Sequence, residues 1–252
     1  MDKLLLFNFA LITVIILGLW CTKKFLKSES SRNIALAIAA SCTILLHYST
    51  LIGKLVSGKD AIGYLSTTPN LILPIYPCNV VMWSALIFAF LKNKNSKIGK
   101  FFVDYIFWFG ILSTLVGMFA NVDFIKNPTL ADWENVKSIT AHATLLFNVL
   151  LLPIFGYVKI DLKRNMTNMI LSIVVMALIG NYCNLVFHVL VSKDAAYNVN
   201  SMFLIHSPFD GVDFLTYPMI ALMAVPFYFI VFMVCDFCFH KPEERFFNKI
   251  KK

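Results

Sequence analysis

The sequence has few charged residues: only 14% of its 252 residues are Asp, Glu, Lys or Arg, whereas 59% are apolar or aromatic. A soluble globule needs a polar surface, and this chain has too few polar residues to cover its apolar ones. The composition therefore excludes a large cytosolic enzyme. It also excludes a basic nucleic-acid-binding protein, although the net charge is +8. The sequence predicts an integral membrane protein instead.

Linkers, internal repeats, low-complexity tracts and paired cysteines are also missing from the sequence. The six cysteines are scattered through apolar surroundings without the spacing of a disulfide framework, so we interpret most of them as ordinary small core residues. One C-x-x-C motif, Cys235 to Cys238, has no second pair and is interpreted as a chance occurrence. No histidine motif with metal-ligand spacing is present. We therefore expect neither a metal site nor any other cofactor.

Seven apolar runs are long enough to cross about 30 Å of hydrocarbon. They predict transmembrane helices near residues 4–21, 34–53, 71–91, 101–120, 138–158, 166–191 and 216–239. The segments between these runs alternate in basicity, with sixteen of the 22 Lys and Arg residues on one side and six on the other. The positive-inside rule places the basic side in the cytoplasm. The N-terminus is then predicted outside and the C-terminus inside.

The predicted fold class is all-α, a polytopic bundle of about seven helices in the cell membrane. Residues 1–240 are expected to form one transmembrane domain, and residues 241–252 a short basic cytoplasmic tail. Because basic and aromatic residues alternate in the tail, it is either an amphipathic segment on the inner leaflet or a solvated extension. The oligomeric state does not follow from the sequence.

Polar side chains inside the predicted spans are costly in hydrocarbon and mark candidate functional positions. They are His47, Cys78, Asn79, His142, Asn181, Asn184 and His188. The last three have the i, i+3, i+7 spacing of a single helical face. At 1.5 Å per residue, all seven fall roughly 5 to 17 Å below the outer ends of their helices. We interpret them as one polar cavity that opens outward, and the alternative is a set of separate interhelical hydrogen bonds.

The segment 73–79, Leu-Pro-Ile-Tyr-Pro-Cys-Asn, is the most unusual stretch of the chain. Two prolines three residues apart cannot continue a regular helix, and proline is favoured at the first helical position. These preferences predict that a helix begins at Pro77 and that Cys78 lies at its N-terminus. There the helix dipole favours the thiolate, and unpaired N–H groups could stabilise an oxyanion. The alternative is a proline kink beside an inert cysteine.

Two other polar patterns are interpreted as structural. Small or short side chains recur through predicted span four at Gly110, Thr114, Gly117 and Asn121. This stripe is typical of close helix packing rather than of chemistry. Asp104 and Asp236 lie near predicted cytoplasmic helix ends, where we expect them to pair with loop lysines.

Three short motifs resemble a known family. They are the 73–79 segment before span three, Thr140-Ala141-His142 at the start of span five, and Gly180-Asn181-Tyr182 in span six. In span number and motif order almost the whole chain resembles the YwaF family, small bacterial integral membrane proteins similar to the eukaryotic transmembrane protein 164 acyltransferases.

The resemblance implies lipid acyl transfer, in which a cysteine takes an acyl group from a phospholipid and passes it to an acceptor lipid with the help of a histidine. On this resemblance Cys78 is the nucleophile, His142 the base and Asn181 a supporting residue. Pro77 departs from the family pattern, because a non-proline residue is expected before the cysteine.

The sequence thus predicts a cysteine-dependent lipid acyltransferase or acyl hydrolase, with membrane phospholipids as substrates and with catalytic Cys78 and His142. The residues with expected supporting or substrate-binding roles are His47, Asn79, Asn181, Asn184 and His188. Two alternatives remain open. One is a small-solute transporter that uses the same cavity, and the other is a noncatalytic membrane partner protein in which the polar residues are only packing contacts.

Overall fold

The computed structural model describes residues 3–119, 124, 127, 129–207, 212–214 and 216–250, without the side chains of residues 249 and 250. These described residues form ten α-helices and no β-strand, which confirms the all-α prediction. The helices are α1 Lys3–Phe25, α2 Glu29–Val56, α3 Ala61–Thr67, α4 Pro77–Phe90, α5 Lys97–Phe119, α6 Trp133–Ile154, α7 Leu162–Leu190, α8 Lys193–Val199, α9 Tyr217–Phe239 and α10 Phe246–Ile250. Short 3₁₀ turns form at Pro69–Leu71, Ser201–Phe203 and Pro242–Glu244.

Six of the described helices, α1, α2, α5, α6, α7 and α9, are long and apolar enough to cross a membrane. The chain is therefore a multi-pass membrane protein with a helical bundle, as predicted. The third predicted span is shorter than expected, because α4 has only 14 residues, about 21 Å at 1.5 Å per residue. The 3₁₀ turn at Pro69–Leu71 and the prolines at 74 and 77 interrupt the apolar run before α4 begins. The orientation across the membrane and the particular membrane stay predictions.

The chain packs as two units. The first contains residues 1–73 and 77–157, and the second contains residues 74–76 and 158–252. The assignment of residues 1–240 to one transmembrane domain, and of 241–252 to a tail, stays a prediction.

In the first unit, α6 is the central helix and packs against α1, α2, α4 and α5. It begins after Asp132, whose Oδ1 accepts a hydrogen bond from the Glu134 N–H at 3.0 Å and so satisfies one of the free amides of the first turn. Its apolar residues pack against α1 and α5 in a cluster formed by Ile15, Met118, Ala143 and Leu146. Because α6 has neighbours on most of its sides, its polar residues lie inside the unit.

In the second unit, α7 packs against α8, α9 and the 3₁₀ turn at Ser201–Phe203. At the end of α9, the buried Asp236 accepts hydrogen bonds from His240 Nδ1 at 2.8 Å and from the Phe246 N–H at 3.0 Å. A histidine and a backbone amide are thus partners of Asp236, and its expected pairing with a loop lysine stays a prediction. The chain reverses direction just after α9, so its own histidine and tail amide reach the carboxylate. Asp104 is buried on α5, and its expected lysine partner stays a prediction.

Candidate functional site

Cys78 lies in the first turn of α4, which begins at Pro77 as the sequence predicts. The thiol is half-buried, and the backbone N–H groups of Cys78 and Asn79 lie within hydrogen-bonding reach of its sulfur. These amides belong to the first turn of the helix, and their N–H groups point toward its N-terminal end. Asn79 itself is buried on α4. Negative charge that forms on or beside the sulfur therefore meets amide dipoles.

His142 lies in the third turn of α6 with a defined ring orientation. Its Nδ1 donates a hydrogen bond to the Ser138 carbonyl at 2.8 Å. In the neutral ring this bond places the proton on Nδ1 and the lone pair on Nε2. The Cδ2–Nε2 edge lies against Gly117 of α5, so closely that a Cβ at position 117 would be 2.5 Å from His142 Cγ and nearer still to both edge atoms. The basic nitrogen thus faces α5.

Helices α4 and α6 run in the same direction beside α5. Near one end, Val81 and Val149 both approach Gly110: a Cβ there would lie 3.3 Å from Val81 Cγ1 and 2.5 Å from Val149 Cγ2. Near the C-terminal end of α4, the rings of Phe88 and Tyr157 are 5.5 Å apart, and Tyr157 lies three residues after the end of α6. Residues that follow in sequence on α4 are therefore matched by residues that follow along α6 and the turn after it.

From this register we infer that Cys78 lies on the side of α4 that faces the same stripe of α5 as His142. Cys78 is three residues before Val81, and His142 is seven residues before Val149, so each lies close to the helical face that meets Gly110 and Gly117. Three residues rise about 4.5 Å and seven about 10.5 Å. The two side chains thus lie on neighbouring helices with an axial offset of about one helical turn.

His47 connects α2 to the segment before α4. Its Nε2 donates to the Asn70 carbonyl at 3.3 Å, and the neighbouring Tyr48 hydroxyl donates to the Leu71 carbonyl at 3.0 Å. His47 is also close enough to Lys137 and His142 to interact electrostatically with both. It therefore lies at the same end of the first unit as His142.

A polar cluster that the sequence did not predict lies at this end, formed by Thr50, Tyr64, Glu134 and Lys137. The Lys137 ammonium donates to Glu134 Oε2 at 2.6 Å, to the Tyr64 hydroxyl at 2.9 Å and to the Thr50 hydroxyl at 3.2 Å. The two hydroxyls in turn donate to the Glu134 carboxylate. Only 9% of the Lys137 side chain is exposed, against 41% of Glu134. The one signal in the sequence was a Glu and a Lys with i, i+3 spacing at the start of a span.

Gly117 was interpreted as a packing residue, and it does allow close helix packing. The structure shows in addition that the partner it admits is the ring of His142. The predicted stripe extends through the buried Thr114, whose hydroxyl donates to the Gly110 carbonyl at 2.6 Å. Asn121, the last member of the predicted stripe, lies outside the described residues.

The remaining candidates belong to the second unit. Asn184 is buried on α7, whereas Asn181 and His188 are exposed, and the Asn181 amide donates to the Ala177 carbonyl of its own helix at 2.9 Å. The buried face of this part of α7 is centred on Gly180 and the residues that follow it at helical spacing. The predicted polar face is thus split, and the supporting roles of all three residues stay predictions.

Within the described residues, no group of three or more His, Cys, Asp or Glu side chains is arranged to hold a metal ion. The Cys235–Cys238 motif is included in that part of the chain, with Cys238 exposed and Cys235 half-buried at the end of α9.

A comparison with known families matches residues 2–237 to the model of the TMEM164 family. Neither the curated proteins nor the solved structures contain a significant match to this chain. The family match covers nearly the whole sequence and includes α1 to α8 and almost all of α9. The resemblance inferred from the cysteine and histidine motifs is thereby confirmed at the level of the family, and this multi-pass membrane protein belongs to the TMEM164 family.

Proposed function

We propose that this protein is a cysteine-dependent lipid acyltransferase or acyl hydrolase, with Cys78 as nucleophile and His142 as general base. The observation that supports the proposal is the register of α4 and α6 beside α5, where Val81 of α4 approaches Gly110 and the His142 ring lies against Gly117. In thiol enzymes a nucleophile and a base from distant parts of the sequence meet within hydrogen-bonding reach. Phospholipids of the outer leaflet of the cell membrane are the proposed acyl donors.

The first half-reaction forms a thioester. His142 Nε2 accepts the proton of the Cys78 thiol, and the sulfur attacks the carbonyl carbon of a phospholipid ester. The resulting oxyanion is stabilised by the amides of the first turn of α4. When the C–O bond breaks, the imidazolium returns its proton to the alcohol oxygen of the lysophospholipid. A base is needed because only a small fraction of an ordinary cysteine thiol is ionised at neutral pH.

The second half-reaction regenerates the thiol. His142 removes a proton from the hydroxyl of an acceptor lipid, whose oxygen attacks the thioester carbonyl. The C–S bond then breaks, the new ester leaves, and the proton passes to the sulfur. If water takes the place of the acceptor hydroxyl, the product is a free fatty acid and the enzyme acts as a hydrolase.

His47 and the Thr50–Tyr64–Glu134–Lys137 cluster support this chemistry through hydrogen bonds between helices. The His47 Nε2 donates to the Asn70 carbonyl at 3.3 Å and so connects α2 to the segment before α4. The Lys137 ammonium connects the start of α6 to Thr50 of α2 and Tyr64 of α3. We assign His47 a positioning role on the ground of its bond to this segment.

The test measures acyl exchange between defined phospholipids and a lysophospholipid acceptor by purified protein in vesicles, with products quantified by mass spectrometry. Cys78→Ala and His142→Ala are each expected to lower turnover at least about 10³-fold, because the parts of a nucleophile–base pair act as a unit. Cys42→Ala is the matched control, since Cys42 is an exposed cysteine on α2, and it should retain full turnover. Undiminished exchange by Cys78→Ala would refute the proposal.

A further inference from the structure

The loop that follows α8 contains three non-glycine residues with left-handed backbone angles. Their φ values are 44° at Asn200, 55° at Met202 and 57° at Phe203. Asparagine tolerates this region, but methionine and phenylalanine rarely adopt it. Such strain persists only where the surrounding structure determines the backbone, and it is frequent at functional sites. Ser201 and Met202 are completely buried, so this strained loop is part of the interior of the second unit.

Asn184 of α7 holds the strained loop by its backbone. Its Oδ1 accepts from the Ser201 N–H at 2.8 Å, and its Nδ2 donates to the Ser201 carbonyl at 3.3 Å. The buried side-chain amide of Asn184 thus forms hydrogen bonds with both the N–H and the carbonyl of the buried Ser201.

Two further features of the same unit determine how the loop packs against α7. The Asn200 side chain closes the loop, because its Oδ1 accepts from the N–H groups of Ile205 and His206 at 3.0 and 3.2 Å. Gly180 provides the space, since a Cβ there would lie 2.5 Å from Leu204 Cδ1 and 2.8 Å from Met202 Cβ. The loop therefore has one position on the helix.

The loop in turn holds the segment that precedes α4. The Ile75 carbonyl accepts from the Ser201 hydroxyl at 3.1 Å and from the Met202 N–H at 2.9 Å. The aromatic rings of Tyr76 and Phe203 are 6.0 Å apart. Ile75 lies between two prolines and is itself buried.

We propose that Asn184 and the loop 200–206 form a clamp that positions the Cys78 thiol through the segment 75–77. Pro77 has a fixed φ and restricts the residue before it, so the chain from Ile75 to the first turn of α4 is stiff. A carbonyl fixed by two hydrogen bonds only three residues before the thiol therefore determines where the helix begins and how the sulfur is presented. Pro77 is part of this device: it transmits the position of Ile75 to Cys78. Asn184 is thus a positioning residue, and its effect on turnover rests on the proposed function of Cys78.

The test compares Asn184→Ala with Asn165→Ala. Asn165 is a second buried asparagine on α7, and its Oδ1 accepts from the Asp161 N–H at 2.8 Å at the opposite end of the helix. Both variants lose a buried side-chain amide that forms hydrogen bonds with the backbone, but only Asn184 belongs to the clamp. Three quantities are measured on the full-length protein in vesicles: kcat and KM for acyl exchange, the thermal midpoint, and the rate at which N-ethylmaleimide alkylates Cys78, quantified on the Cys78 peptide by mass spectrometry.

Asn184→Ala is expected to lower kcat at least about tenfold with KM within about twofold of the wild type, because misplacement of a nucleophile by a fraction of an ångström affects the reaction rather than lipid binding. The alkylation rate should rise about tenfold, since the first turn of α4 opens to a small reagent. Ser201→Ala removes one of the two hydrogen bonds to the Ile75 carbonyl. Its changes in kcat and in the alkylation rate should each be about a third as large as those of Asn184→Ala, because only one hydrogen bond is lost. Asn165→Ala should lower the thermal midpoint but leave kcat and the alkylation rate within about twofold.

Equal alkylation rates in the Asn184→Ala and Asn165→Ala proteins would overturn the clamp, because the loop would then have only a stabilising role. An unchanged kcat in Asn184→Ala, in a protein whose Cys78→Ala variant is inactive, would do the same. Failure of the proposed function gives a different result: Cys78→Ala retains turnover, and the alkylation rates still decide whether the clamp holds the thiol.

Discussion

Replacement of Gly117 by alanine should impair catalysis by displacing the base rather than by unfolding the protein. The added Cβ would lie 2.5 Å from His142 Cγ and closer to the two atoms of the ring edge. Because ordinary carbon contacts are about 3.5 to 4.0 Å, the ring or helix α6 has to move by about 1.5 Å to relieve the closest contact. A displacement of that size at a catalytic group costs about a hundredfold in rate. Overpacking of the core should also cost about 1 to 3 kcal/mol of stability.

Two other glycines provide controls for this variant. Gly110→Ala overpacks the same stripe of α5, where its Cβ would meet Val149 Cγ2 at 2.5 Å, but it does not contact His142. It should lose a similar 1 to 3 kcal/mol of stability, roughly, with kcat within about threefold of the wild type. Gly53→Ala adds a methyl group where nothing lies within 4 Å, and should stabilise α2 by about 0.4 to 1 kcal/mol.

The assay is the same acyl exchange in vesicles, with kcat expressed per folded protein and the thermal midpoint recorded for each variant. Gly53→Ala should have the kcat of the wild type, and Gly110→Ala should have a slightly lower one. The kcat of Gly117→Ala should be about a hundredfold below that of the wild type. If Gly117→Ala loses stability as Gly110→Ala does but keeps wild-type kcat, the position of the His142 ring does not matter for turnover. The assignment of His142 as base would then be wrong.

Two further predictions concern charged groups away from the thiol. Lys137→Met should destabilise the protein by roughly 1 to 3 kcal/mol, which is less than the loss of a fully buried pair because Glu134 is partly exposed. In thermal or denaturant unfolding, the double variant with Glu134→Gln should lose less stability than the sum of the two single variants. Additive losses would contradict a coupled pair. Between α4 and α5, burial lowers the pKa of Lys94 below its ordinary value of 10.5, and the carboxylate of Glu29 opposes this. Since the charged form is disfavoured in the folded state, the unfolding free energy should rise as the pH increases through the folded-state pKa toward 10.5, and this rise should be absent in Lys94→Met. Identical pH profiles of the unfolding free energy in the wild type and in Lys94→Met would contradict this prediction.

Much of the fold could be predicted because it depends on local properties of the chain. The length of each apolar run determines whether a helix can cross hydrocarbon, and six of the seven predicted spans are helices of sufficient length. The start of α4 at Pro77 follows from proline stereochemistry, which involves only the neighbouring residues. The third span was overestimated because hydropathy does not register that Pro74 and Pro77 end the regular helix on one side.

The arrangement of the candidate site could be predicted only in part. The i, i+3, i+7 spacing of Asn181, Asn184 and His188 indicated a common face, but only Asn184 is buried. A spacing of this kind defines an arc of the helix, and the neighbours decide which part of that arc is covered. The roles of Glu134 and Lys137 were missed for the same reason, since their partners Thr50 and Tyr64 lie 70 or more residues away in sequence.

The sequence by itself determined that this chain is a membrane protein, where six of its membrane-spanning helices lie, and that a cysteine lies in the first turn of the helix that begins at Pro77. Tertiary structure decided that the ring of His142 lies against Gly117 and that Ser201 and Met202 hold the Ile75 carbonyl. The physical reason is that hydropathy and proline geometry act over a few neighbouring residues. Helix register and loop placement depend instead on how side chains from remote segments fit together, and no segment contains that information alone.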